Sequence, residues 1–206
     1  MAIESDLRFL SHRDSVRAIE RASARAKLPV KYTQGFNPHP ILSLVCPKPV
    51  GVASMADLAV IKLTRHMDAR QILDALNEQT PRGMTFTRAE VLEAKAPPQP
   101  RRVDYDAPVK PDQQERLAEL ADEFNHDETR LVERVRGQRA GKPGRRRTID
   151  LKLLVRDLRL EDGRLRFSLV PDGQVWARPG EVLDAIGLDA RVDLAGLVRT
   201  NVEYDF

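Results

Sequence analysis

The chain has 206 residues, 41% of them hydrophobic and 32% charged, and a formal net charge of +3. This composition is typical of a globular protein with room for one large domain or two small ones, and it excludes a disordered chain. A single cysteine excludes a disulfide framework and any cluster held by several cysteines of this chain, and the four histidines are too scattered to indicate a metal site. We therefore expect a cytoplasmic protein, and no apolar run reaches the roughly 20 residues that a membrane-spanning helix needs.

The first half of the chain predicts strand, helix, strand, strand, helix and strand. A short first strand leads to Ser11, which with Asp14 is expected to form a capping box for the first helix. Later strands are predicted over 57–64 and 84–91, with a short helix capped by Asp68 between them. This order is that of the ferredoxin-like βαββαβ unit.

One face of the first helix carries an arginine at every fourth position, at Arg13, Arg17, Arg21 and Arg25. Residues four apart are neighbours on a helix surface, so these side chains form a stripe. The stripe is either a solvated face that Asp14 and Glu20 partly neutralise, or a ridge that follows a phosphate backbone.

Residues 29–51, PVKYTQGFNPHPILSLVCPKPVG, are the most constrained stretch of the sequence. They hold five of the chain's fourteen prolines, and Gly35 near their centre permits a positive φ. Each proline also pushes the residue before it toward an extended shape. The stretch is either a rigid turn between two strands or a stiff loop that presents Gln34, Asn37 and His39 to a ligand.

The second half predicts the same order of elements. A helix begins at Pro111 and continues its apolar face as far as Val135, and two strands are joined across residues 161–163. Another helix begins at Pro179 and is expected to end at Gly187, and residues 197–204 form the closing strand.

The repeated order predicts an α+β fold made of two tandem ferredoxin-like (βαββαβ) units. A proline-rich linker over residues 96–101 separates the first unit, 1–95, from the second, 102–206.

Residues 134–147, RVRGQRAGKPGRRR, carry seven positive charges and no negative charge. Such a segment can follow a polyanion closely, although a flexible basic connector is the alternative. It follows the first helix of its unit, as residues 29–51 do in theirs, so we expect the two segments to form one composite nucleic-acid site. The expected contacts are Arg13, Arg17, Arg21, Gln34, Gly35, Asn37, His39, Arg139, Lys142, Arg145, Arg146 and Arg147.

His12 and His39 are the candidate catalytic residues, because an imidazole could act as general base on a ribose 2′-hydroxyl. The alternatives are a first-turn helix role for His12 and loop hydrogen bonding for His39. The sequence fixes no second acid or base for either, and it contains no glycine fingerprint or Walker loop. Cys46, in an apolar run, is interpreted as a packing residue.

Residues 7–54 contain the elements FLSH-x-D, ERA, LP-x-x-Y-x-QGFNPHP and P-x-PVG-x-x-S, and TIDLK, ARP-x-EVL and LVRT follow later. These motifs resemble the bacterial radical SAM-linked protein family, an uncharacterised domain fused to, or encoded beside, radical SAM proteins. The resemblance covers nearly the whole chain. Members of that family usually carry a complete first strand before FLSH, so we expect either that the start site is placed too late or that the first strand is truncated here.

The resemblance implies a partnership rather than a known reaction. A radical SAM enzyme holds its iron–sulfur cluster with three cysteines, and this chain has one, so a partner would carry the cluster and the S-adenosylmethionine. The leading hypothesis is a non-catalytic accessory protein that binds tRNA or rRNA for modification. The alternatives are a metal-independent endoribonuclease that uses His12 or His39, similar at fold level to the RAMP-type CRISPR endoribonucleases, and a protein-only scaffold for the radical SAM partner.

Overall fold

The computed structural model describes residues 1–92, 97–136 and 145–205 and shows an α+β protein. Its chain divides into two compact units, Met1–Pro100 together with Val198–Phe206, and Arg101–Leu197. Among the described residues, no helix is both long enough and apolar enough to cross a membrane.

The first unit consists of short strands and two helices. In chain order these are β1 (Ala2–Ile3), α1 (His12–Arg25), β2 (Leu42–Val45), β3 (Ala53–Ser54), β4 (Leu58–Ile61), α2 (Ala69–Asn77) and β5 (Met84–Thr85). β1 pairs antiparallel with β3 and β5, whereas β2 and β4 form a separate antiparallel ladder. The core of the unit includes Ile3, Ile19, Ala22, Leu76 and Met84.

Both helices of the first unit begin where the sequence predicts. The Ser11 hydroxyl accepts a hydrogen bond from the Asp14 backbone N–H at 3.2 Å, and the Asp68 carboxylate accepts from the backbone N–H groups of Arg70 and Gln71. The expected capping box is incomplete, because the Asp14 carboxylate accepts from the Ser11 hydroxyl at 2.6 Å and not from its backbone.

The last strand before residue 92 is shorter than predicted, since β5 ends at Thr85. Beyond it the Asn77 side chain takes the place of a partner strand. Its Oδ1 accepts from the Phe86 backbone N–H at 2.8 Å, and its Nδ2 donates to the Phe86 carbonyl at 2.9 Å. A side chain that satisfies both backbone groups removes the need for a neighbouring strand at that residue.

The second unit contains the longer elements. They are β6 (Gln99–Pro108, which begins two residues before the unit does), α3 (Pro111–His126), β7 (Leu131–Arg136), β8 (Arg145–Asp150), β9 (Val155–Glu161), β10 (Arg164–Leu169), α4 (Pro179–Ala185) and α5 (Ala190–Asp193). β10 lies between β6 and β9 and is antiparallel to both. α3 packs on β9 and buries Leu117, Ala121 and Phe124.

Two predicted turns of the second unit are confirmed. Asp162 and Gly163, with φ of 51° and 69°, have the left-handed conformation that a two-residue hairpin between β9 and β10 requires. Gly187, with φ of 76°, ends the helix that begins at Pro179.

The prediction that the α3 pattern continues to Val135 is wrong. The helix ends at His126, and β7 pairs antiparallel with β8. Around Arg130 the backbone is hydrogen-bonded to the partner strand: its N–H donates to the Asp150 carboxylate at 2.9 Å, and its carbonyl accepts from the Leu151 N–H at 2.9 Å. Those bonds replace the ones that a continuing helix would need.

The closing strand, β11 (Val198–Asp205), departs from the predicted boundaries of the units. The sequence predicts it in the second unit, but it pairs in parallel with β3 and belongs to the first. The division after Pro100 falls inside the predicted linker, where β6 has already begun.

Candidate functional site

Residues 33–39 form a closed, exposed loop at the centre of the 29–51 stretch, and we call them the tip. The Thr33 N–H donates to the His39 carbonyl at 2.8 Å, and the His39 N–H donates to the Thr33 hydroxyl at 3.0 Å. Every residue of the tip is exposed. The tip therefore combines a fixed closure with full access to solvent.

The tip stands on an ordered base. The Lys31 N–H donates to the Lys62 carbonyl at 2.7 Å, the Ile41 N–H donates to the Lys31 carbonyl at 2.7 Å, and the Lys62 N–H donates to the Ile41 carbonyl at 2.9 Å. Tyr32 and Pro40 form an antiparallel bridge one residue further toward the tip. These bonds hold both ends of the tip beside the ladder of β2 and β4.

Gly35 and Phe36 give the tip its particular form. Gly35 has a φ of 133°, in a region that side chains rarely adopt, although nothing lies within 4 Å of the position of an added Cβ. The Phe36 ring is fully exposed, and the Tyr32 ring at the base is 47% exposed. The requirement for glycine is thus one of backbone conformation, and it places an aromatic ring at the outermost part of the loop.

The arginine stripe of α1 is exposed, as both interpretations of the sequence require, so exposure alone does not distinguish them. Arg13, Arg17 and Arg21 are all exposed. Arg17 lies 3.8 Å from the Asp14 carboxylate, a half-exposed pair that contributes little. Among the described residues, neither Arg13 nor Arg21 forms an ion pair.

Acidic residues are absent from a long part of the sequence around this surface. Residues 21–56 contain five lysines and arginines and no aspartate or glutamate. They comprise the last five residues of α1, the tip, β2 and β3. No carboxylate within this stretch neutralises its positive charges.

The open face of the β6–β10–β9 sheet shows the opposite arrangement. Arg102 donates to the Asp104 carboxylate at 2.7 Å and to Asp157 at 2.6 Å. The other pairs on this face are Arg164 with Asp106 at 2.8 Å, and Arg166 with Glu161. Because these arginines have carboxylate partners, the face is close to neutral and has little attraction for a polyanion.

The described residues of the basic segment, 134–136 and 145–147, lie on the paired strands β7 and β8, and we call this strand pair the hairpin. Arg146 lies on β8, is exposed and forms an ion pair with Glu133 at 3.1 Å. Arg147 is exposed beside a pocket of about 160 Å³, smaller than the roughly 300 Å³ of a typical ligand pocket. Arg145 begins β8, and Arg139 and Lys142 lie outside the described residues.

The stem of this hairpin has a buried anchor that the sequence does not reveal. The Arg134 side chain, 7% exposed, donates two hydrogen bonds to the Glu181 carboxylate at 2.6 and 2.8 Å and one to the Trp176 carbonyl at 3.0 Å. Glu181 belongs to the ARP-x-EVL motif, so this motif holds β7 against the start of α4.

The two candidate catalytic histidines are exposed, His12 in the first turn of α1 and His39 at the closure of the tip. Among the described residues, no hydrogen bond or ion pair joins either imidazole to a carboxylate. No group of three or more potential metal ligands is found in that part of the chain either. Their catalytic role stays a prediction.

A buried polar cluster next to the 29–51 stretch is also not predicted from the sequence. Arg199 of β11 is completely buried; its Nη1 donates to the Cys46 carbonyl at 2.6 Å and its Nε donates to the Ser54 hydroxyl at 3.0 Å. Its Nη2 forms an ion pair with Asp57. The signal in the sequence is a charged residue at an inward position of a strand, in the motif LVRT.

The same cluster fixes the last part of the stretch. The Lys48 ammonium, almost completely buried, donates to the Arg8 carbonyl at 2.5 Å, and the Gly51 N–H donates to the same oxygen at 2.9 Å. Burial, followed by repulsion from Arg199 and Arg8, lowers the pKa of Lys48 to about 8. Burial also raises the pKa of the Cys46 thiol, which indicates a packing role for this residue rather than a reactive one.

Residues 2–179 match a family described as an uncharacterized protein conserved in bacteria (DUF2344). The chain belongs to this family. The matched region includes α1, the tip and the ladder of β2 and β4, and it ends at the first residue of α4. No curated protein matches the chain.

Proposed function

We propose that this DUF2344 protein is a non-catalytic accessory protein of a radical SAM enzyme, and that it binds RNA, either tRNA or rRNA, for modification. The observation that carries the RNA part is the unequal pairing of charge. Arginines on the open sheet face of the second unit have carboxylate partners, whereas Arg13 and Arg21 of α1 form no ion pair among the described residues.

An arginine without a carboxylate partner can neutralise a phosphate and so release the counterions that are condensed on the nucleic-acid backbone. Arg13, Arg17 and Arg21 repeat every four residues, about 6 Å along the helix axis, so that several of them can contact one phosphate backbone. The polar tip residues Gln34, Asn37 and His39 would contact bases or sugars. Arg147 of the hairpin forms no ion pair among the described residues and would add a phosphate contact, whereas Arg146 would first have to leave Glu133.

The partnership rests on the motifs that resemble the radical SAM-linked family, and the partner would carry the iron–sulfur cluster and the S-adenosylmethionine. Both proteins would then work in the cytoplasm. Co-purification with a radical SAM protein encoded beside this one tests the partnership independently of RNA.

We also infer that both units derive from the ferredoxin-like βαββαβ plan, a plan found in RNA-recognition modules. In the second unit β10 lies between β6, which precedes helix α3, and β9, which follows it after the intervening strands β7 and β8. In the first unit β1 lies between β3 and β5, which come before and after α2 in the chain, with β4 between β3 and α2. This interleaving supports the split βαβ arrangement.

The direct test is salt-dependent RNA binding. We expect affinity for a tRNA-sized RNA to fall with salt, and the triple change Arg13→Gln, Arg17→Gln and Arg21→Gln to reduce the slope of log K against log[salt] by about 2 to 3. The matched control changes three exposed arginines that have carboxylate neighbours: Arg70→Gln, Arg88→Gln and Arg159→Gln. RNA binding that is absent, or that both triples weaken equally, refutes the α1 surface.

The same RNA and protein variants distinguish the proposed function from the two alternative functions. Labelled RNA that is cleaved in EDTA, with cleavage lost in His12→Ala or His39→Ala, identifies a ribonuclease instead of an accessory binder. Stable capture of the radical SAM partner with no affinity for RNA identifies a protein-only scaffold.

A further inference from the structure

We propose that the tip is a stacking site for an unpaired nucleobase, with Phe36 as the stacking ring. This inference rests on the proposed function and narrows its ligand to RNA with accessible bases, such as a loop or a single strand, as opposed to continuous duplex. It assigns base contact to the tip and phosphate contact to α1.

The Phe36 ring is isolated from other apolar side chains of the tip. Phe36 is fully exposed, and both of its faces are available because the closure of the tip involves only Thr33 and His39. Its neighbours Gln34 and Asn37 are polar and exposed. An aromatic anchor for a protein partner sits among other apolar groups, whereas a ring flanked by amides suits a base, which has an apolar face and a hydrogen-bonding edge.

The charge around the tip also favours a nucleic-acid ligand. The tip lies within residues 21–56, which contain no aspartate or glutamate, so no carboxylate of this stretch repels the phosphate beside a stacked base. Lys31 in the base and His39 at the end of the tip are exposed and can face that phosphate.

The tip is also held in one conformation by its own hydrogen bonds. Two hydrogen bonds between Thr33 and His39 and the bridge between Tyr32 and Pro40 fix the loop before any ligand arrives. A loop that is already ordered loses little conformational entropy when a base stacks on it. In A-form duplex RNA the bases are stacked on each other, so only an unpaired base can use such a ring.

The test uses three labelled RNAs of equal length: an unstructured strand, a hairpin with a loop of eight nucleotides, and a blunt duplex. We expect Phe36→Ala to weaken binding of the strand and of the hairpin by about 5- to 150-fold, the range found when a stacking ring is removed, and to leave duplex binding unchanged. Phe36→Tyr should retain the affinity, and Leu153→Ala, which removes an exposed apolar side chain of the second unit, should have no effect.

A 2-aminopurine in the hairpin loop supplies a spectroscopic readout, since we expect its fluorescence to change on binding to the wild type and not to Phe36→Ala. If Phe36→Ala leaves RNA affinity unchanged while the α1 triple variant still weakens it, the stacking site is refuted and the RNA-binding function stands. If no RNA binds, both fail. If Phe36→Ala abolishes capture of a protein partner and leaves RNA binding intact, the tip is a protein contact and the inference is overturned.

Discussion

The buried arginine of β11 offers the sharpest test of how the 29–51 stretch is held. Replacing Arg199 with methionine keeps an unbranched apolar stem but removes the guanidinium that meets Asp57, Ser54 and the Cys46 carbonyl. The Asp57 carboxylate, 4% exposed, would then be buried without its positive partner. Removing one member of a buried ion pair costs about 3–5 kcal/mol, and we expect a loss of that size.

Urea unfolding followed by circular dichroism measures this loss. For an m-value of about 2 kcal/mol/M, the expected loss lowers the urea midpoint by roughly 1.5–2.5 M. Arg70→Met, on the exposed face of α2, is the matched control and should change the free energy of unfolding by less than about 0.5 kcal/mol.

Two further variants separate the charge from the geometry. Arg199→Lys keeps the charge, but an ammonium group cannot reach three acceptors in a plane, so we expect an intermediate loss. The double variant Arg199→Met with Asp57→Asn removes both charges and should be less destabilised than the sum of the two single variants, by at least about 1 kcal/mol. Additive single effects, or a loss below about 1 kcal/mol for Arg199→Met, would refute the view that this ion pair holds the stretch.

Three more outcomes are expected. Between about pH 8 and pH 10.5 Lys48 binds fewer protons in the folded state than in the unfolded state. Its contribution to the free energy of unfolding therefore rises with pH. We expect the urea midpoint of the wild type, measured relative to that of Lys48→Met, to rise from pH 7.5 to pH 9. Glu181→Gln leaves the buried Arg134 without a carboxylate partner and should lower the free energy of unfolding by about 2–4 kcal/mol. Hydrogen exchange should be faster in β7 and β8 of this variant. The control Glu133→Gln removes one member of an exposed pair and should cost less than about 1 kcal/mol. Ser11→Ala removes the N-cap of α1 and should cost about 1 kcal/mol by urea unfolding, and an unchanged midpoint would contradict the capping role.

Local signals in the sequence predict local structure well in this protein. Ser11 and Asp68 start the helices that they are expected to cap, and the Asp162–Gly163 pair makes the expected hairpin turn. Each of these features depends on backbone groups within four residues, so a single stretch of sequence contains the whole cause. The spacing of the α1 arginines likewise becomes an exposed stripe, because the helical period alone decides which residues share a face.

Predictions from the sequence are wrong where the structure of a segment depends on a partner that is distant in the chain. Leu131 and Val135 fit the apolar period of α3, yet pairing with β8 makes them part of a strand whose outward face leaves both exposed. The Arg199 cluster joins Cys46, Ser54 and Asp57 to a strand about 145 residues later, and no local pattern indicates which inward charge meets which partner. Pairing over such a distance is fixed by the whole fold and not by periodicity.

The placement of these groups separates the stability of the 29–51 stretch from its capacity to bind. Arg199 and Lys48 are buried at one end of the stretch, whereas Phe36 is fully exposed in the tip. A substitution in the buried cluster should therefore lower the urea midpoint and leave RNA affinity per folded molecule nearly unchanged. Phe36→Ala should do the reverse, because an exposed ring contributes almost nothing to the folded state. If Phe36→Ala destabilised the fold as much as Arg199→Lys does, the ring would have to pack against something in solution, and the tip could not be the open stacking surface described above.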